Sequence, residues 1–236
     1  METLVNRKIE YKKQIVVTIF DTETATGFSK TPSWLGADSK NHPKICQLAY
    51  KTFTFNLGEN AIDYILSNVE MYNNYIYPED AQGEYKVGNT EIHGISHELC
   101  LREGVSIITA IKDLKSAFEQ SDIIVGHKVS FDSANVCAAA ELNNLNKDMS
   151  FFKTIKVGDN DKRYCTMINT KHIVKAPNKA GNIKFPKLIE LYNHLFGEDF
   201  VDAHNALGDV NATALIFEKL LNEYRTEANL EKYLLK

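Results

Sequence analysis

Residues 16–28 read VVTIFDTETATGF. From Ile15 to Phe20 the run is apolar nearly throughout, rather than alternating between apolar and polar. That pattern fits a central strand covered on both faces. The run then meets two acids, Asp21 and Glu23. Side chains at i and i+2 of a strand point to the same side, so both carboxylates converge at one end of this strand. Carboxylates held together repel unless one takes a proton or a cation sits between them. Hard divalent cations such as Mg²⁺ favour such oxygens. Taken alone, the pair reads more simply as a strand end emerging into solvent with both acids hydrated.

Working outward, residues 25–44 are rich in Gly, Pro, Ser and Asn and read as a long loop. Strands are expected at 45–55 and 72–78, while 61–71 fit no pattern. Residues 104–119 place Val105, Ile108, Ile111, Leu114, Lys115 and Phe118 near helical spacing, an amphipathic helix. DIIVG, residues 122–126, is a short buried strand. Residues 130–142 read as a helix with Ser130 as its cap. A further helix runs to Phe196, with Pro186 in its first turn and Gly197 ending it. The last long helix spans about 205–223, with Leu207, Val210, Ala214, Phe217 and Leu221 on one stripe. Early strands followed by alternating strands and helices predict an α/β layered fold. With no repeat or low-complexity linker, a single domain over 1–236, core about 15–222, is the simplest organisation.

The 236 residues are 44% hydrophobic and 25% charged, with a net charge of −4. A duplex-coating protein would be more basic, whereas a small footprint on a strand end needs only a local basic patch. Cys46, Cys100, Cys137 and Cys165 are too widely spaced for a CxxC motif and read as reduced thiols. The N-terminal METLVNRKIEYKKQ is polar, unlike a signal peptide, and no apolar run approaches the ~20 residues of a membrane span. A cytoplasmic, soluble setting without membrane contact is expected.

Two more acid positions stand out. Asp132, in IIVGHKVSFD, falls at a helix start, where a negative charge is favourable by itself. His204 and Asp209 lie in AHNALGDVNATALIF. Five residues along a helix rotate roughly 140°, so both side chains serve one site only if His204 lies in the loop or cap. Each part has a bland reading; together they fit one metal site. A histidine near it could take a proton from water near neutral pH. Two metals ~3.5–4 Å apart would stabilise the attacking and leaving oxygens of a phosphodiester.

These motifs, in this order from about residue 15 to 222, resemble the DEDDh exonucleases, the family of the proofreading epsilon subunit of bacterial DNA polymerase III. FDTETATG resembles the first motif, with Asp21 and Glu23 as metal ligands and Thr22, Thr24 and Phe28 beside the substrate. IHGIS, residues 92–96, is similar to the family's segment whose histidine, here His93, contacts the terminal nucleotide. VGHKVSFD resembles the second motif, with Asp132 as ligand and Phe131 beside the last bases, although core packing explains Phe131 as well. KFPKLIELYNHLFG, residues 184–197, resembles the helix before the last motif. HNALGDVNAT resembles the third, with Asp209 as ligand and His204 as general base. The resemblance implies a ribonuclease H-like fold, with a mixed five-stranded central sheet flanked by helices. It also implies two Mg²⁺ or Mn²⁺ ions per site and release of mononucleotides from a single-stranded or frayed 3′ end.

The chain departs from the pattern in places. Lys128 replaces the usual Asn and points to a phosphate or to solvent. Cys165-Thr166-Met167 stands where many relatives have Asp-Thr. Trp34, the only tryptophan, lies in the long loop and either packs on the core or stacks a base. Residues 171–187 hold five lysines and no acid, either a phosphate-tracking surface or a solvated loop. DNA is the favoured substrate. An exoribonuclease of the same fold, or a non-catalytic nucleic-acid-binding module, are the rivals. An Asp-x-Asp phosphatase would leave the later His-x-x-x-x-Asp spacing unexplained. A DNA polymerase is a candidate partner, with a stand-alone enzyme preferred.

Overall fold

The apolar run is β1 (Gln14–Thr24). It pairs antiparallel with β2 (Ile45–Leu57), which pairs antiparallel with β3 (Tyr64–Tyr75). A small ribbon of β4 (Glu79–Asp80) and β5 (Gly83–Glu84) stands apart. On its other side β1 runs parallel to β6 (Ile123–Gly126), which runs parallel to β7 (Arg163–Cys165). The sheet order is β3-β2-β1-β6-β7, the mixed five-stranded sheet expected. This computed structural model describes residues 12–26, 42–57, 64–145, 162–200 and 204–235. Phe28 and Trp34 lie outside the described residues, as does most of the 25–44 loop.

The helices are α1 (Thr90–His93), α2 (His97–Glu103), α3 (Ile107–Gln120), α4 (Val129–Leu142), α5 (Thr166–Asn169), α6 (Lys171–Val174), α7 (Leu188–Phe196), α8 (Ala206–Glu223) and α9 (Glu231–Leu234). They cover both faces of the sheet. Ile15, Val17 and Ile19 pack with Phe55, Tyr164 and the α7 and α8 side chains Leu191, Val210, Phe217 and Leu220. Phe20, Leu48 and Tyr50 pack on the opposite face with Ile111, Leu114 and Phe118 of α3 and Val129 and Val136 of α4. Burial on both faces explains why β1 never alternates. Among the described residues no helix is long and apolar enough to cross a membrane. All four cysteines are free thiols.

Several boundaries differ from the sequence reading. β3 begins at Tyr64, inside the stretch that matched no pattern, and ends at Tyr75 rather than 78. α3 starts at Ile107, capped by the Ser106 hydroxyl, so Val105 precedes it and bridges Ile76 instead. Ser130 is not the α4 cap: Lys128 occupies that place in a left-handed conformation, φ 70°, which lets the chain turn sharply from β6 into the helix. Pro186 lies before the α7 cap, Lys187, outside the first turn, while Gly197 ends that helix at φ 77° as expected.

Candidate active site

The alternation of β1 decides where each acid goes. Ile15, Val17 and Ile19 face α8, and Asp21 and Glu23 continue that odd series. α8 brings Asp209 to the same side in its first turn. One carboxylate oxygen each from Asp21, Glu23 and Asp209 lie within 4.8 Å of one another. Thr22, between the two acids, continues the even series toward α4. Its main-chain N–H (3.1 Å) and its hydroxyl (2.8 Å) both donate to Oδ1 of Asp132.

Asp132 reaches the same strand end from the α4 side, close enough that its charge is the largest acting on Asp21, so the four carboxylates gather at one end of β1. One expectation is corrected. The Thr22 side chain is not a substrate contact, because it is buried and its hydroxyl is donated to Asp132.

The electrostatics couple all four acids. Asp21 is pushed well above the carboxylate range by burial, and then by the charges of Asp132, Asp209 and Glu23. Burial and the charges of Asp209 and Asp132 raise Glu23 to about 7. Burial raises Asp132 to about 7 against the opposing pull of its Thr22 hydrogen bonds and of Lys128. Burial raises Asp209 to about 6, restrained by His204, whose charge and main-chain N–H both favour the carboxylate. Acids this costly to ionise together are a site waiting for a cation. The donor set is oxygen only and carboxylate-rich, which suits Mg²⁺ or Mn²⁺ rather than softer metals. Asp21, Glu23 and Asp209 would hold an ion directly, and the free oxygen of Asp132 would serve a neighbouring one.

His204 sits just outside α8, exposed and left-handed at φ 65°. The helix cap is Asn205, whose side chain accepts from Leu207 and Gly208 N–H at 3.1 and 3.3 Å. His204 is thus free of the helical rotation that would separate it from Asp209.

One positioning residue escaped the sequence reading. Gln47, fully buried, lies opposite Glu23 in the β1–β2 register. Its carbonyl accepts from Ala206 N–H at 3.1 Å, and its amide donates to Asn73 at 2.9 Å. The first residue of α8 is therefore pinned to the strand facing Glu23, which fixes Asp209 against the acid pair. A lone amide inside the apolar run ICQLAY was the available signal, because a buried amide requires partners.

The remaining residues border this edge. The His93 segment is brought to the end of β1: Gly88 N–H donates to Ala25 O at 2.7 Å and the Asn89 amide to Thr24 O at 3.1 Å. The His93 ring itself is buried and lowered in pKa by that burial. Nε2–H donates to Gly88 O (3.1 Å) and Nδ1 accepts from Ile95 N–H (3.0 Å). A nucleotide contact through a ring nitrogen would have to displace one of these. Thr24 follows a bulge in β1 and is half-buried. Phe131 is half-buried, with the Lys128 ammonium 5.2 Å from its ring centre.

Comparison with known proteins agrees with this geometry. The model of a family described as Exonuclease, of the RNase T type, matches residues 18–217. The chain belongs to this family, and with its Asp-Glu-Asp-Asp acids and His204 to the DEDDh class of 3′–5′ exonucleases, which are phosphodiester hydrolases. Among solved structures it resembles E. coli exonuclease I bound to a dT13 oligonucleotide, with a TM-score of 0.61 and 18% identity over 93% of this chain and 43% of that one. The complex with dA16 gives 0.57 and 17% over 90% and 43%. The zinc-bound form with single-stranded DNA gives 0.60 and 17% over 92% and 42%. The chain thus spans less than half of exonuclease I, and at such identities the likeness establishes the fold. No curated protein sequence matches the chain.

Proposed function

We propose that this chain removes mononucleotides from the 3′ end of single-stranded DNA, using two Mg²⁺ or Mn²⁺ ions held by its acids and His204 as general base. The observation that carries this reading is the convergence of Asp21, Glu23 and Asp209 on one side of the β1 end, with His204 on the loop that enters α8. Bound ions would supply Lewis-acid activation of a water and balance charge on the leaving 3′ oxygen. The chain supplies the rest. Asp21, Glu23, Asp132 and Asp209 would hold the ions that bind the reacting phosphate, while Gln47 fixes the start of the helix carrying Asp209 and Thr22 orients Asp132. His204, exposed to solvent, accepts the proton of the attacking water and passes it to solvent. That exonuclease I, of the same fold, is seen with dT13 and dA16 supports DNA as the strand.

The test is degradation of matched 3′-labelled DNA and RNA strands, single and duplex, with Mg²⁺ or Mn²⁺. Mononucleotide release from single-stranded DNA is expected. Preference for the RNA strand would move the assignment to an exoribonuclease, and no release from either strand would refute it.

A further inference from the structure

The lysine-rich segment 171–187 follows the exit of β7, at the edge of the sheet that carries the acids. β1, β6 and β7 are parallel and end at the same edge of the sheet. β1 delivers Asp21 and Glu23 there, the exit of β6 leads to Asp132, and the exit of β7 leads straight into α5, α6 and this segment. His127, between β6 and α4, ties the three together. Its Nε2–H donates to Pro186 O at 3.1 Å and its Nδ1 accepts from the Thr166 hydroxyl at 2.9 Å. Burial lowers His127 to about 4, so the ring stays neutral and the tie holds at ordinary pH.

The segment is built rather than loose. Pro177 bridges Ile183, Lys184 N–H donates to Ala176 O at 2.9 Å, and Asn178 N–H donates to Asn182 O at 2.8 Å. The Asn178 side chain accepts from Ala180 and Asn182 N–H, both at 2.9 Å, which closes the tip of this small hairpin. Lys184 turns back onto Glu190. Lys175, Lys179 and Lys187 remain exposed, in a chain whose net charge is −4. Beside the Pro186 anchor stands Phe185, 48% exposed, with the Lys171 ammonium 4.8 Å from its ring centre. A large exposed aromatic beside a fixed hairpin, in a segment that also carries exposed lysines, has the two features a single strand needs: a face for a base and charges for its phosphates.

We propose that Phe185 and Lys175, Lys179 and Lys187 form a platform for the single strand on the 5′ side of the cleaved linkage, with a base stacked on Phe185 and phosphates on the lysines. This rests on the exonuclease reading above, and its test is separable from that reading. Binding is measured by fluorescence anisotropy of a labelled dT20 in EDTA, where nothing is cut. Catalysis is measured with Mn²⁺ on the p-nitrophenyl ester of thymidine 5′-phosphate, which is too short to reach the platform. Phe185→Ala should weaken dT20 binding roughly 5- to 150-fold, the range of one lost base stack, and Phe185→Trp should retain it. Lys175→Glu with Lys179→Glu should flatten the slope of log affinity against log salt by about 1.4, the value for two single-strand phosphate contacts. Ester hydrolysis should stay within about twofold of the parent. Unchanged dT20 affinity and salt slope in these variants would overturn the platform, even with the ester still hydrolysed. A parent chain that binds dT20 but cleaves neither substrate would sink the exonuclease reading and leave the platform standing.

Discussion

The two ends of β1 treat buried polar groups in opposite ways. At the end away from the site, the buried polar groups among the described residues are tied into hydrogen-bonded chains. The Thr52 hydroxyl, the Thr18 hydroxyl and the Ser121 hydroxyl form a chain with 2.7 Å links that ends on Ala117 O at 2.8 Å. Asp122 accepts from Val16 N–H at 2.9 Å and from Lys12 at 3.1 Å. At the other end four carboxylates crowd together, with Lys128 easing the ionisation of Asp132 and a His204 contact easing that of Asp209. The first arrangement serves folding. The second opposes it, and a chain retains such repulsion where a ligand is to relieve it.

Breaking the acidic end should have the largest effect on catalysis and the opposite sign on stability. Asp209→Asn is expected to abolish nucleotide release while raising the melting temperature in EDTA at pH 8, because one of the repelling charges is gone. A lowered melting temperature would mean that Asp209 holds the fold together instead. His204→Ala should slow release on the order of 10²–10⁴-fold, the usual span of general acid–base catalysis, with stability little changed. An unaltered rate under saturating Mn²⁺ would assign the proton to another group.

Thr22→Val frees Asp132 from its hydroxyl donor. A loss of roughly 10–100-fold in Mn²⁺ affinity, read by calorimetry, is the cost typical of removing a group that orients a ligand. Calorimetry indistinguishable from the parent would show that the main-chain N–H suffices.

The raised carboxylates also set a pH dependence. Their ordinary values are 3.8 for Asp and 4.5 for Glu, and the folded values are about 7 for Glu23 and Asp132 and about 6 for Asp209. Between these limits the folded chain binds more protons than the unfolded one, so stability falls as pH rises. The melting temperature in EDTA should drop from pH 5.5 to pH 8, and added Mg²⁺ should recover more at pH 8 than at pH 5.5. A flat profile in EDTA would contradict the crowding.

The far end should give the smallest change. Thr18→Val interrupts the hydroxyl chain and should cost about 1–3 kcal/mol of stability, with activity per folded molecule unchanged. Equal loss of activity would show that the two ends are coupled.

Legibility followed the range of the interaction involved. β1, β2, β6 and α8 were readable because apolar runs and helical stripes repeat within one element. β3 was missed over 64–71 because it lies toward the edge of the sheet, where stretches such as NVEMYNNY carry no clear apolar alternation. The Ser130 cap was misplaced because a left-handed Lys128 has no local signature. Asp21, Glu23, Asp132, His204 and Asp209 were legible through motif order, and so was their gathering in one site, but not the faces from which α4 and α8 deliver their acids. Gln47 was overlooked because its partners, Ala206 and Asn73, are 159 and 26 residues away in sequence.

By itself the sequence determined the strand that carries DTE, the common side of Asp21 and Glu23, and the chemistry of the donor set. These follow from the two-residue period of a strand and from the residue types, both strictly local. Only the tertiary structure decided that Asp209 joins that pair from α8, that Asp132 reaches the same strand end from α4, and that Thr22 serves Asp132. It alone turned His93 inward and placed the lysine-rich hairpin at the same edge as the acids. Those outcomes depend on which faces of distant elements pack together and on the shared direction of β1, β6 and β7, and a residue order does not contain either until the chain has closed on itself.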